Sequence, residues 1–129
     1  MSFVAETGSG HSLILDTAPE SGGRNMAPRP MEIVLVGATT CSTFDIVKII
    51  KEKSEQLDYC SANATATRLT TDPKVFDKID IHLIIKGKGI KPEDIDEANE
   101  LTQNVYGSAN KMLSLTATIN YTYEVITSD

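Results

Sequence analysis

The run MEIVLVGATTCSTF, residues 31 to 44, offers almost no polar face at any helical spacing, and nothing else in the chain constrains the fold as much. Ile33, Val34, Leu35, Val36, Ala38 and Cys41 point in nearly every direction around a helix, relieved only by threonines and Gly37. A helix that is apolar all round is buried all round. Pro30 suits the first helical position, where its missing N–H costs nothing, and Glu32 complements the positive end of the helix dipole. The pattern predicts a helix from Met31 to about Gln56. Its second half turns amphipathic, with Phe44, Val47 and Ile50 expected inward and Lys48, Lys51, Glu52, Lys53 and Glu55 outward. A chain of 129 residues and 14.0 kDa is one domain, 1–129, with little left over to enclose such a helix. A second copy is the natural cover, so a homodimer is expected. Gly37 beside Ala38 allows another helix to come close, at a cost of about 1 kcal/mol for glycine in a helix interior.

The remaining elements follow from period and punctuation. HSLILDTA, residues 11 to 18, reads as a strand with Leu13 and Leu15 on one side and Ile14 on the other, and SFVAE, residues 2 to 6, as its hairpin partner. Residues 19 to 30 hold three of the five prolines and form a loop. Residues 58 to 71 alternate, placing Cys60, Ala62, Ala64 and Ala66 on one face and Tyr59, Asn63, Thr65 and Thr67 on the other. Residues 75 to 86 alternate again, with Ile79, Ile81, Leu83 and Ile85 inward, so the two make an antiparallel hairpin. Pro92 opens a second helix to about residue 106, with an acidic first turn and a buried stripe of Ile95, Ala98, Leu101, Thr102 and Val105. A further helical turn after Gly107 precedes a last strand, residues 116 to 126. The order is β-β-α-β-β-α-α-β, an α+β fold with a long central helix packed on an antiparallel sheet.

Composition removes whole classes of function. The formal net charge of −6, with twelve basic residues scattered along the chain, offers no basic stripe for nucleic acid and disfavours acidic membrane surfaces. The N-terminus lacks the basic start and apolar core of a signal peptide, and no window is expected to reach the roughly 20 apolar residues of a membrane helix. A cytoplasmic protein without cofactor is the expectation. In a reducing compartment Cys41 and Cys60 are free thiols. His11 and His82, far apart in sequence, make no metal site.

Chemistry then turns on Cys41, and two readings stand. A nucleophilic thiol needs thiolate character from a cation, a helix N-terminus or a hydrogen bond. Cys41 lies near the third turn, where the dipole contributes little, and Asp45 one turn on opposes a second negative charge. Thr39, Thr40, Ser42, or a basic residue such as Arg24 or Arg29, are the groups able to assist. The other reading is a small buried hydrophobe. Cys60, alternating with alanines, is a packing thiol. Glu32 is a dipole complement first and a site carboxylate second. Met26, Met31 and Met112 are core or interface fillers, although methionines beside Cys41 would also suit an apolar ligand. Tyr106 is expected in the core with its hydroxyl reaching the surface.

APRPMEIVLVGATTCS, NVYGSANKML, SGHSLILD, Pro30 with Glu32 nine positions before Cys41, and YEV at 123 to 125 together resemble the OsmC/Ohr family of osmotically induced and organic-hydroperoxide-resistance proteins. Within it they resemble the small YhfA-like branch. The resemblance runs from about Ser9 to Glu124. It implies an intertwined homodimer with active sites at the interface, a cysteine on the central helix that attacks the peroxide, and a second cysteine that resolves the sulfenic acid. Cys41 matches the attacking position.

Three departures accompany the match. The place of the second cysteine, after a tyrosine late in the second helix, is here Tyr106-Gly107, so resolution falls to an external thiol. The carboxylate that follows the helix-opening proline comes one residue late, at Glu32, about 100° further around the helix. The family's arginine from the N-terminal strands has no counterpart before Arg24.

The resulting expectation is a single-cysteine, thiol-dependent reductase of organic hydroperoxides in oxidative stress defence. Cys41 and Glu32 form its catalytic centre, and Met31, Thr40, Phe44 and Tyr106 its substrate pocket. The alternative is a non-catalytic dimer of the same fold that binds an apolar small molecule at its interface.

Overall fold

A computed structural model describes residues 1–53 and 56–128. The chain groups into two units, residues 1–36 and residues 37–129.

In the first unit, β1 (Ser2–Glu6) pairs antiparallel with β2 (Ser12–Asp16), Phe3 opposite Leu15 and Val4 opposite Ile14. The turn closes where the Thr7 N–H donates to the His11 carbonyl at 2.8 Å, with Gly10 at φ 86°. Both strands lie where alternation and glycines put them. The sheet has only these two strands among the described residues, and Phe3, Val4 and Ile14 stand 50%, 78% and 58% exposed. An isolated two-stranded ribbon is marginally stable in water. Asp16 is buried at the end of β2, and its carboxylate accepts backbone N–H groups from Thr17 at 2.8 Å, Arg24 at 3.1 Å and Met26 at 3.2 Å. One side chain thus holds the proline-rich loop, which contains one 3₁₀ turn, Pro19–Ser21.

Helix α1 spans Pro30–Lys53. The Arg29 N–H donates to Glu32 Oε1 at 2.9 Å, the reciprocal half of a capping box. The predicted end at Gln56 is corrected: Gln56 opens the next strand, and residues 54 and 55, with the outward placing of Glu55, lie outside the described residues. The expectation that no window reaches membrane-helix apolarity is corrected too. By length and a mean hydropathy of 1.7, α1 is long and apolar enough to cross a bilayer. Four isoleucines, three valines and a leucine between residues 33 and 50 carry the window past its two charges. The same test is passed by core helices of soluble proteins, and α1 buries Ala38, Ser42, Ile46, Ile49 and Ile50 along one face.

That face sets the helix's rotation and overturns one inward assignment. Phe44 lies about 160° around the helix from Ser42, and is 64% exposed. Ile46, Ile49 and Ile50 carry the burial instead.

In the second unit, β3 (Gln56–Arg68) and β4 (Phe76–Lys88) form the expected antiparallel hairpin, with Cys60 opposite Ile85 and Ala64 opposite Ile81. Ile79, Ile81, Leu83 and Ile85 are at most 1% exposed, each contributing about 1.5–3 kcal/mol of hydrophobic stabilisation. β5 (Thr118–Thr127) joins the other edge of β4 in parallel, so the expected all-antiparallel sheet is mixed. Parallel neighbours need a crossover, and the helical stretch between β4 and β5 supplies it.

That stretch is α2 (Pro92–Leu101), a π-helical turn (Thr102–Tyr106) and α3 (Ser108–Leu113). Ile95, Ala98 and Thr102 are fully buried as expected. Val105 and Tyr106 are not: they are 64% and 55% exposed, which corrects both core assignments. The wider π turn delays the helical phase, so positions that would return to the core at α-helical spacing face outward. Lys53, at the end of α1, bonds Glu97 at 2.5 Å and lies 3.9 Å from Asp94, tying α1 to α2.

Candidate functional site

Cys41 is exposed, and it is a free thiol. Thr40 and Phe44 are exposed beside it. Cys41, Asp45, Lys48 and Glu52 follow at spacings of four, three and four, which stacks them on one side of α1. Beyond Cys41 on that side lies a pocket of about 130 Å³ lined by Asp45, Lys48, Ile49, Glu52 and Tyr106. Burial pushes the Asp45 carboxyl above its ordinary range, and Lys48 pulls it back down.

The predicted site residues are therefore dispersed. Tyr106 reaches the side of α1 that carries Cys41, while Thr40 and Phe44 present themselves outward rather than lining that pocket. Glu32, in the first unit, is exposed and accepts the Arg29 N–H, so its dipole-complementing part is visible as a helix cap. Met31, beside it, is half-buried. Cys60 is half-buried on β3, and burial pushes its thiol up, as suits a packing thiol. Among the described residues no group of three or more His, Cys, Asp or Glu side chains is placed to hold a metal.

Gly107 explains one departure from the resembled pattern. Its N–H donates to the Thr102 carbonyl at 2.7 Å, closing the π turn, and a Cβ here would sit 2.2 Å from that same oxygen. No side chain fits without moving the backbone. The position where the resembled family places its second cysteine is thus closed in this chain.

Sequence reasoning missed a polar cluster inside the second unit. Ser42 donates to the Ala38 carbonyl at 3.0 Å, and its Oγ lies 2.9 Å from the Tyr121 hydroxyl. The Asn110 amide donates to Ser42 Oγ at 2.6 Å and also to Tyr121 Oη. Burial pushes the Tyr121 phenol up, and its bonds to Ser42 and Asn110 work against that shift. The cluster joins α1, α3 and β5 at a point where packing alone offers little direction. Its only sequence signal was a serine inside an otherwise apolar helical stripe.

A family model described as OsmC-like protein matches residues 22–122. Protein YhfA of Escherichia coli K12 is 32% identical over 126 residues, which cover 98% of this chain and 91% of that one. A hypothetical protein from Aquifex aeolicus VF5 has a solved structure similar at a TM-score of 0.84 and 21% identity, over 99% of this chain and 89% of the other. An organic hydroperoxide resistance protein OsmC from Legionella pneumophila is similar in fold at a TM-score of 0.68 and 16% identity, over 97% and 96%. With most of the chain under the family model, and a relative above 30% identity along nearly its full length, this chain belongs to the family of OsmC-like proteins.

Proposed function

We propose that this protein is a cytoplasmic, homodimeric, thiol-dependent peroxidase that reduces organic hydroperoxides through Cys41 alone. The observation that carries the reading is an exposed free thiol on the side of an apolar helix that the chain leaves uncovered. The hydroperoxide resistance named for the Legionella protein points to the same substrate class. The Cys41 thiolate attacks the outer peroxide oxygen, the O–O bond breaks, and the alkoxide leaves as the alcohol after taking a proton, with Cys41 left as sulfenic acid. One external thiol condenses with the sulfenic acid, releasing water and forming a mixed disulfide. A second thiol displaces Cys41, leaving the reductant oxidised as its disulfide.

A second copy supplies what one chain lacks. Val34, Val36 and Phe44 on α1 are 42%, 57% and 64% exposed, and the two-stranded β1–β2 sheet stands without a third strand among the described residues. Exposed apolar patches of this kind mark association surfaces. The family model spans both units, which supports reading residues 1–129 as one OsmC-like domain. Thr40, Phe44 and Tyr106 are proposed to border the substrate once two copies meet. Glu32 serves the site through its helix cap.

Treating the protein with one equivalent of cumene hydroperoxide in the presence of dimedone, followed by intact mass, tests this. One adduct in the native chain and none in Cys41→Ser is the expected result. Unmodified protein after long exposure sinks it, and leaves the second reading, a dimer that binds an apolar small molecule without chemistry. The closed backbone at Gly107 favours that second reading, because it removes the resolving thiol from this chain.

A further inference from the structure

The Ser42–Asn110–Tyr121 cluster stands one residue from Cys41, and its hydrogens run in one direction. Ser42 gives its proton to the Ala38 carbonyl at 3.0 Å, so its Oγ accepts from outside the helix, from the Asn110 amide at 2.6 Å and the Tyr121 hydroxyl at 2.9 Å. The other amide hydrogen of Asn110 goes to Tyr121 Oη. Every polar hydrogen of the three side chains is thereby committed, and the triangle ties α1 at Ser42 to α3 and β5.

We propose that Asn110 and Tyr121, acting through Ser42, are positioning residues that hold the Cys41 thiol in place for its attack on a peroxide, a role that rests on Cys41 being the reacting thiol. Apolar packing fixes the later part of α1, where Ile46, Ile49 and Ile50 are buried. Residues 37 to 43 are GATTCST, with no side chain larger than threonine, so interlocking shapes give this stretch little hold. Hydrogen bonds supply what is missing, because they constrain direction as well as distance. Ser42 and Asn110 are 0% and 4% exposed, so water does not compete for these bonds. In the same turn the Thr43 hydroxyl donates to the Thr39 carbonyl at 2.8 Å. Stability alone does not account for the cluster. Asn110 Oδ1 has no partner among the described residues, and a buried polar set left partly unpaired holds elements together no better than apolar side chains of the same size. A reacting group displaced by about 1 Å can lose roughly a hundredfold in rate, so an anchor adjoining the thiol acts on chemistry before it acts on folding.

The test compares Ser42→Ala and Tyr121→Phe, each of which removes one corner of the triangle, with Ile85→Val. Ile85 pairs with Val125, well along the strands from the level at which Ile81 pairs with Tyr121, and its change costs a comparable amount of stability. Two rates are read at one pH, with the product mapped to Cys41 by mass: sulfenic acid formation with cumene hydroperoxide under dimedone, and alkylation by iodoacetamide. Ser42→Ala and Tyr121→Phe are expected to slow sulfenic acid formation about tenfold while alkylation stays within about twofold, and Ile85→Val to leave both unchanged. Peroxide rates unchanged in both cluster variants, an equal slowing in Ile85→Val, or alkylation falling in step with the peroxide reaction would each overturn the positioning role. A native chain that is alkylated yet forms no sulfenic acid sinks the peroxidase reading itself, and the positioning role with it.

Discussion

Strand β4 and helix α1 are both strongly apolar segments of this chain, and the fold treats them in opposite ways. β4 is the central strand of its sheet, and Ile79, Ile81, Leu83 and Ile85 are sealed on one face within the chain. α1 seals only the stripe through Ala38, Ser42, Ile46, Ile49 and Ile50, leaving Val34, Val36, Cys41 and Phe44 exposed. A sheet face needs one covering layer, and helices of the same chain provide it. Around α1 the cover is partial, with one stripe sealed and the residues on its other sides left exposed. Apolarity therefore says that a residue must leave water, without saying whose atoms will replace the water.

Cutting into the sealed strand should have the largest effect. Leu83→Ala is expected to cost about 2–5 kcal/mol, read as a lowered urea midpoint at constant slope. A loss below 1 kcal/mol would mean that β4 is less enclosed than it stands here. The contrasting change is Phe44→Ala. It should leave the chain's own stability within about 0.5 kcal/mol, while weakening association of two copies by about 3 kcal/mol per dimer, near a hundredfold. Sedimentation equilibrium decides it, and a native chain that is already monomeric would break the comparison outright.

The remaining changes probe points where polar groups replace packing. Tyr121→Phe removes the hydroxyl shared by Ser42 and Asn110, and should cost about 1 kcal/mol in thermal unfolding. An unchanged melting curve would show the cluster to be incidental. The smallest effect is local and depends on pH. Three backbone N–H groups, from Thr17 first and then Met26 and Arg24, hold the Asp16 carboxyl below its ordinary value of 3.8. A carboxyl depressed in the folded state stabilises above its unfolded value, and that contribution disappears as pH falls through the folded one. The protection factors of the Arg24 and Met26 amides, each taken against the intrinsic exchange rate at the same pH, should therefore fall as the pH drops below 3.8, and Asp16→Asn should produce the same loss of protection at neutral pH. Protection that stays unchanged in both cases would remove Asp16 as the loop's anchor.

Much of the architecture was legible before the fold was seen, because it rests on short-range rules. Alternation placed β3 and β4, with the inward residues of β4 correct, Pro30 and Pro92 opened their helices, and the hairpin β1–β2 followed from its glycines. The failures share a cause. Phe44 was assigned inward and Val105 and Tyr106 to the core on the assumption of an undisturbed helical phase. The π turn and the actual rotation of α1 are set by what lies opposite, which local pattern does not carry. In the candidate site, Cys41 was legible as the thiol in an apolar helix. Its company was legible only in part: Asp45 followed from helical spacing and Tyr106 from the resemblance, whereas Lys48, Ile49 and Glu52 joining them around one pocket did not.

By itself, then, the order of residues determined the elements, the inward face of β4, and a long helix apolar through most of its first half, since period, proline and glycine act within a few positions. Tertiary structure alone decided the parallel docking of β5, the outward turn of Phe44 and Cys41, the closed backbone at Gly107 and the Ser42–Asn110–Tyr121 cluster. Each depends on atoms brought together from distant parts of the chain, where sterics and hydrogen bonding act through space and leave no periodic trace in the sequence.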